Sequence, residues 1–201
     1  MNADDMSVTD QPDDPSRVPT EHQHPRPRTK AESLVLVNTG HGKGKSTAAF
    51  GVLWRGLALE WRCGVVQFIK SGKWRTGEEA MGRKMGVDWW ALGDGFTWLS
   101  DDLDESQARG LAAWEAAETK LAAGELDLLV LDEITYPINW GWIEVDRVVA
   151  ALRDRAAHTN VICTGRDAPA ALLDVADTAT EMHSVKHAYQ RGIRAMRGID
   201  F

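Results

Sequence analysis

Cysteine is scarce in this chain of 201 residues: Cys63 and Cys163 are the two, each bordering an apolar run and neither with metal-type spacing. This argues against a disulfide framework or a thiolate metal cluster and predicts reduced, partly buried core thiols. Long apolar runs are also missing. The longest uncharged stretches are strand-sized, so no membrane span is expected, and the first residues carry Asp and Pro where a secretory signal needs an apolar segment. The expected compartment is the cytoplasm. Positive charge is in deficit, with 23 Lys and Arg against 30 Asp and Glu for a net charge of -7. Residues 1–33 hold seven acidic and four basic side chains, so they do not conceal a basic excess in the remainder. A phosphate-neutralising face is therefore not expected, nor is a nucleic-acid partner. Tyrosine and phenylalanine are few, two and four, whereas there are nine tryptophans. Indole is costly to bury without a partner for its N–H, so some of these are expected to line a pocket for a large flat ligand.

What is present suits one soluble globular domain, since 43% hydrophobic and 26% charged residues over this length can bury a substantial core. Residues 1–32 hold five of the seven prolines and little apolar periodicity, and are read as a flexible tail or lid preceding a domain over 33–201. His22 and His24 in that tail read as solvated, for no Cys or carboxylate is spaced to complete a metal site. From Leu34 onward strand-like and helix-like patterns alternate. Strands are expected at 34–38, 64–69, 87–91, 126–131, 160–164 and 178–182, and helices over 46–60 and 104–123. The alternation predicts an α/β fold with a mostly parallel central sheet flanked by helices.

The densest chemical signal follows the first strand: Thr39-Gly40-His41-Gly42-Lys43-Gly44-Lys45-Ser46-Thr47 opens a helix-like segment. Glycines let backbone amides converge on an anion, Lys45 supplies a point charge, and the helix aims its positive end at the same place. A nucleoside polyphosphate is the expected ligand. Thr39 stands where the usual pattern has Gly, and Gly40 and Gly42 are additional. The partner element is Leu128-Leu129-Val130-Leu131-Asp132-Glu133, an apolar strand ending in two carboxylates. It resembles a Walker B element, which delivers hard oxygen ligands for Mg²⁺ beside the Ser46 hydroxyl.

Other segments leave two readings open. Arg55 sits on the first helix, on a solvated face or facing a ligand. Lys70, Lys73 and Arg75 flank Trp74 on a strand-end loop that either holds polar groups of a large substrate or is simply solvated. Phe96 and Trp98, on the Gly-flanked run 93–98, suit a hydrophobic wall near a ligand better than core packing. The run Asn139-Trp140-Gly141-Trp142 is similar in kind. His183 and His187 have helical zinc spacing but lack the adjacent glutamate and a third ligand.

Taken together, several motifs resemble the corrinoid adenosyltransferases of the CobA/CobO/BtuR type: Thr39-Gly40 through Phe50-Gly51, Gln67-Phe68-Ile69-Lys70, Trp74-Arg75 with Gly77-Glu78-Glu79, Gly95-Phe96-Thr97-Trp98, Leu131-Asp132-Glu133-Ile134-Thr135-Tyr136, Asn139-Trp140-Gly141-Trp142, Thr164-Gly165-Arg166, and Val185-Lys186-His187-Ala188 through Gly198-Ile199-Asp200-Phe201. The resemblance implies a phosphate-loop, RecA-like fold and transfer of the 5'-deoxyadenosyl group of MgATP to a reduced Co(I) corrinoid, with release of triphosphate. It implies ATP contacts over 39–47 and at Arg55 and Arg166. Ser46, Asp132 and Glu133 are implied as Mg²⁺ ligands, and Lys45 and Glu133 as catalytic groups. Phe96 and Trp98 would fill the lower face of the corrinoid, with further corrinoid contacts from Lys70, Trp74, Asn139 and Lys186. A homodimer and a flavoprotein or flavodoxin-type reductant are implied as partners. ATP would lie across the loop in a reversed sense, which the extra glycines fit. Two departures stand out. His41 occupies a variable loop position, and Pro19, Pro25 and Pro27 prevent a continuous helix over 18–30, where many members carry a basic helical lid.

Overall fold

Six short runs of the chain become six strands: β1 (Val35–Thr39), β2 (Cys63–Gln67), β3 (Asp88–Ala91), β4 (Leu128–Asp132), β5 (Asn160–Thr164) and β6 (Thr178–Glu181). The computed structural model describes residues 29–70, 76–93 and 103–200. His22, His24, Trp74, Phe96 and Trp98 lie outside the described residues. Between the strands run α1 (Lys45–Ala58), α2 (Gly77–Lys84), α3 (Leu103–Ala123), α4 (Thr135–Asn139), α5 (Val145–Arg153) and α6 (Ala170–Asp174), with a 3-10 turn at Ala188–Arg191.

The strands form one sheet in the order β3-β2-β4-β5-β1-β6, and every neighbouring pair is parallel. Parallel neighbours need crossover connections, and helices in those crossovers cover both faces. Side-chain alternation sorts the core accordingly. Val65, Leu128, Val130 and Ile162 pack beneath Phe50 and Leu53 of α1. On the opposite face Val66, Leu129, Leu131 and Val161 pack against Trp114 and Leu121 of α3 and Val148 and Leu152 of α5. Both cysteines are free and buried, one on each face. Strands β2 and β4, with neighbours on both edges and helices on both faces, are buried at all five positions. The edge strand β6 (Thr-Ala-Thr-Glu) is exposed throughout.

Boundaries shift in ways that matter for the site. The strand expected over 64–69 leaves the ladder after Gln67, although the Phe68 N–H still donates to the Asp132 carbonyl. The strand expected over 126–131 begins at Leu128 and takes in Asp132, whose backbone is in register with Gln67. This carboxylate is thus part of the sheet rather than of the loop beyond it. Helices α2, α4, α5 and α6 come in addition to the two expected from periodicity. Helix α2 is polar and holds by its ends: the Thr76 hydroxyl accepts the Glu79 N–H, and Arg83 bridges Glu79 and the Trp89 carbonyl.

Leu131 is fully buried in the central strand. Leu131→Ala is expected to cost about 2–5 kcal/mol in urea unfolding, whereas Leu59→Ala on the exposed end of α1 changes stability little.

Candidate functional site

At the C-terminal edge of the sheet the loop after β1 turns into α1 through Gly44, whose φ is +118°. Its elements are tied down from several sides. The Asn38 amide donates to the Lys45 carbonyl at 3.2 Å, and the Thr39 hydroxyl accepts the Ala168 N–H at 3.0 Å. Thr39, unexpected in such a loop, therefore fastens β1 to the segment after β5. The Gly42 N–H donates to the Met182 carbonyl at 2.6 Å. A Cβ at Gly40 or Gly42 would lie within 2.5 Å or 2.7 Å of Met182 backbone atoms. Close approach of the chain leaving β6 thus requires the additional glycines, whatever the orientation of a bound nucleotide. Lys43 Nζ reaches Asp200 Oδ1 at 2.6 Å, closing the C-terminal segment over the loop. The Lys45 ammonium donates back to the Gly42 carbonyl at 2.7 Å. Burial and the neighbouring Arg166 lower the pKa of Lys45, with Glu133 and Asp167 acting in the other direction.

Directly under the start of α1 runs a row of polar side chains on one face of four adjacent strands: Gln67, Asp132, Thr164 and Asn38. Register pairs Gln67 with Asp132 and Asn38 with Thr164. Asp132 is completely buried and accepts from three donors: Gln67 Nε2 at 2.9 Å, Thr164 Oγ1 at 2.8 Å and Lys70 Nζ at 3.4 Å. Burial alone would raise its pKa. The Lys70 charge and the hydrogen bonds outweigh that, so the group is held below the ordinary carboxylate range. Lys70, expected among substrate contacts, is instead drawn to this carboxylate, and its own pKa is raised because Asp132, Glu133 and Glu78 outweigh its desolvation.

Glu133 leaves the strand with φ +66°, and its N–H donates to Thr164 Oγ1 at 2.9 Å. Burial and the adjacent Asp132 push its carboxyl up to about 7, although Lys70, Lys45 and Arg166 oppose the shift. The two neighbouring carboxylates are therefore differently engaged: Asp132 accepts from three protein donors, and the Glu133 carboxylate accepts from none among the described residues. The Ser46 hydroxyl, in the first turn of α1, keeps lone pairs that can face a ligand. Among the described residues no group of three or more His, Cys, Asp or Glu side chains is placed to hold a metal ion. A hydroxyl and one open carboxylate beside a phosphate loop instead suit Mg²⁺, which takes few protein ligands and completes its octahedron with phosphates and water.

The remaining expected residues are distributed around this centre. His41 pairs with Asp167 at 3.1 Å, both exposed, and Arg166 is exposed in the same segment. The Asn139 amide donates to the Arg166 and Asp167 carbonyls at 3.4 and 3.0 Å, so it supports that segment. Trp140 stacks between Tyr136 and Trp142, with ring centroids 5.5 and 4.7 Å apart. Lys186 is exposed on the C-terminal segment. Arg55 is exposed on the last turn of α1, about 13 Å along the helix axis from Ser46, and is not brought to the loop. His183 and His187 do not share a helix: His183 lies 3.9 Å from Glu181, and His187 caps the 3-10 turn.

Sequence reasoning did not single out the side chains of Gln67, Thr164 and Asn38 as parts of the site. Their local signal is a polar residue at the last or next-to-last position of a strand, and Gln67 and Thr164 also fall within segments that carry the family resemblance, which attaches no role to their side chains. A test of the electrostatics follows from the Glu133 carboxyl. A carboxyl raised in the folded state binds more protons there than when unfolded, so its contribution to stability is full below about 4.5 and is lost as pH rises through about 7. In metal-free buffer Glu133→Gln is expected to raise the melting temperature at pH 8 by several degrees and to make little difference near pH 4.5, as measured by calorimetry.

The whole of this region falls within a family model. The model for ATP:corrinoid adenosyltransferases, BtuR/CobO/CobP, matches residues 31–201. A corrinoid adenosyltransferase of Pseudomonas aeruginosa is 44% identical over 159 residues, covering 78% of each chain. The corrinoid adenosyltransferase CobA of Salmonella typhimurium is 40% identical, and a corrinoid adenosyltransferase of Escherichia coli 39%, each over 78% of this chain and 80% of the relative. The phosphate loop, the Asp132-Glu133 strand end and the C-terminal segment that closes on the loop all lie within the matched span, and the chain belongs to the ATP:corrinoid adenosyltransferase family.

Proposed function

We propose that this protein transfers the 5'-deoxyadenosyl group of MgATP to the Co(I) centre of a corrinoid and releases triphosphate. The observation that carries this reading is the meeting of Lys45 and Ser46 with the Asp132-Glu133 strand end, in a chain of this family. The nucleophile is the electron pair of Co(I). It forms the Co–C bond at ribose C5', and the C5'–O bond breaks with its electron pair leaving on the triphosphate.

In this reading the loop does not position a terminal phosphate for attack. It receives a leaving group, so its charge must be complementary to negative charge that grows as the C5'–O bond lengthens. Lys45 and the N-terminal end of α1 supply fixed positive potential there. Ser46 and Glu133 would hold Mg²⁺, which supplies further charge neutralisation at the triphosphate. Asp132, through Thr164, anchors the backbone of Glu133 at the strand end. Arg166 flanks the Lys45 side of the loop, held by Asn139 through its backbone, and Lys70 balances the carboxylates from the opposite side.

Phe96 and Trp98 are assigned the lower face of the corrinoid. Aromatic side chains offer cobalt no lone pair and exclude water, which favours a cobalt without its lower ligand and hence reduction to Co(I). Trp74 and Lys186 complete the proposed corrinoid contacts, and Arg55 is kept as an ATP contact for a nucleotide that extends that far. A cytoplasmic homodimer supplied with electrons by a flavoprotein or flavodoxin-type reductant belongs to the same reading and rests on family resemblance.

Incubation with MgATP and chemically reduced cobalamin is expected to give a light-sensitive alkyl-cobalt product together with triphosphate. Orthophosphate release without a new Co–C bond would instead mark a phosphate-loop ATPase, and ligand binding without turnover a carrier. Phe96→Ala combined with Trp98→Ala is expected to impair the reaction started from Co(II) far more than the reaction with preformed Co(I). Equal losses in the two assays would remove the lower-face role.

A further inference from the structure

The polar row beneath α1 contains one side chain whose part in the chemistry has not been assigned. Gln67 is 1% exposed. Its Nε2 donates to Asp132 Oδ2 at 2.9 Å, and its Oε1 accepts from Trp89 Nε1 at 2.9 Å. An indole N–H can only donate and an ionised carboxylate can only accept, so the amide has a single orientation that satisfies both partners. Trp89, itself buried in the core beside Phe50 with ring centroids 5.4 Å apart, thereby fixes which atom Gln67 turns toward Asp132. Gln67 and Lys70 share Asp132 Oδ2, and Thr164 donates to Asp132 Oδ1. Thr164 Oγ1 in turn accepts the Glu133 N–H at 2.9 Å, so the carboxylate that Gln67 holds is linked to the backbone of the proposed cation ligand.

We propose that Gln67, clamped by the Trp89 indole, is a positioning residue for the nucleotide-bound cation. It holds the Asp132 carboxylate toward the Thr164 hydroxyl, whose oxygen accepts the Glu133 N–H, and so fixes the strand end from which Glu133 meets the cation. Specificity for the cation-bound form of ATP is thereby set partly by an indole on β3 that touches neither nucleotide nor cation. The inference rests on the reading of Lys45, Ser46 and Glu133 as a MgATP site. A Gln67 that serves only to satisfy a buried indole would matter for stability and not for the cation.

Equilibrium binding of ATP to the full chain, in excess Mg²⁺ and again in EDTA, separates these roles. In the wild-type protein Mg²⁺ is expected to tighten ATP binding. In Gln67→Met that gain is expected to shrink about tenfold or more, the size of effect that removal of an outer hydrogen-bond partner has on metal affinity, while binding in EDTA changes little. Trp89→Phe, which keeps the glutamine but frees its amide, is expected to shift the gain in the same direction by a smaller factor, and decides the matter where Gln67→Met does not fold. Mn²⁺ electron paramagnetic resonance with ATP present gives a second readout, with weaker Mn²⁺ retention in both variants. A gain as large as the wild type's in the variants, or equal losses with and without Mg²⁺, would overturn the positioning role. A wild-type protein whose ATP affinity is indifferent to Mg²⁺ would overturn the cation-site reading itself, and the positioning role with it.

Discussion

A fully buried carboxylate is the constraint around which this edge of the sheet is organised. Ionised Asp132 in the interior would be untenable without compensation, since desolvating a charge costs several kcal/mol even after relaxation. The compensation comes from three donors on two neighbouring elements: Gln67 and Lys70 from β2 and its continuation, and Thr164 from β5. Each donor is a demand on the fold. The register of β2 against β4 must place Gln67 opposite Asp132, and β5 must bring Thr164 alongside. The carboxylate therefore couples the strand end that carries Glu133 to the register of the sheet, and what looks like one acidic residue of a nucleotide motif is a structural junction.

The adjacent Glu133 shows why a pair of carboxylates is more useful here than one. It leaves the strand in a left-handed backbone conformation and so faces a different environment from Asp132. Donors that converge on Asp132 leave Glu133 comparatively open, and burial beside a negative neighbour raises its carboxyl toward neutrality. One group is locked as an internal acceptor and the other is poised to gain from an arriving cation. Lys70 sits against both, partly balancing two negative charges without occupying all the acceptor capacity of Glu133.

Much of the fold was legible because its strands are short apolar runs between polar breaks, and such runs bury themselves in a parallel sheet whatever their order. Strand order was not legible, since it depends on which crossovers pack best. Helix α2 was hidden for a related reason: a polar segment with two glycines has no apolar stripe and forms because Thr76 caps it and Arg83 ties it to β3. Of the site, Lys45, Ser46, Asp132 and Glu133 could be read from local motifs. Gln67 and Thr164 could not, for they are 65 and 32 residues from Asp132 and become its neighbours only through strand register. Lys70 looked like a surface charge on a strand-end loop, because a sequence does not show that a lysine will be drawn inward by buried carboxylates.

The unusual spelling of the loop can now be divided between chemistry and packing. Lys45 and Ser46 stand where any phosphate loop needs a charge and a hydroxyl. Gly40 and Gly42 answer to a different neighbour, the Met182 backbone, which occupies the space their side chains would fill and takes the Gly42 N–H as a hydrogen-bond donor. Thr39 answers to a third, the Ala168 amide. Loop conformation is thus imposed before any anion arrives, by segments that follow β5 and β6, and Lys43 joins the same arrangement through Asp200. Groups held in place before a ligand arrives lose less entropy on binding than flexible ones. A loop built this way is committed to one geometry, and that commitment is written partly in the C-terminal residues, some 140 to 160 positions away from the glycines they require.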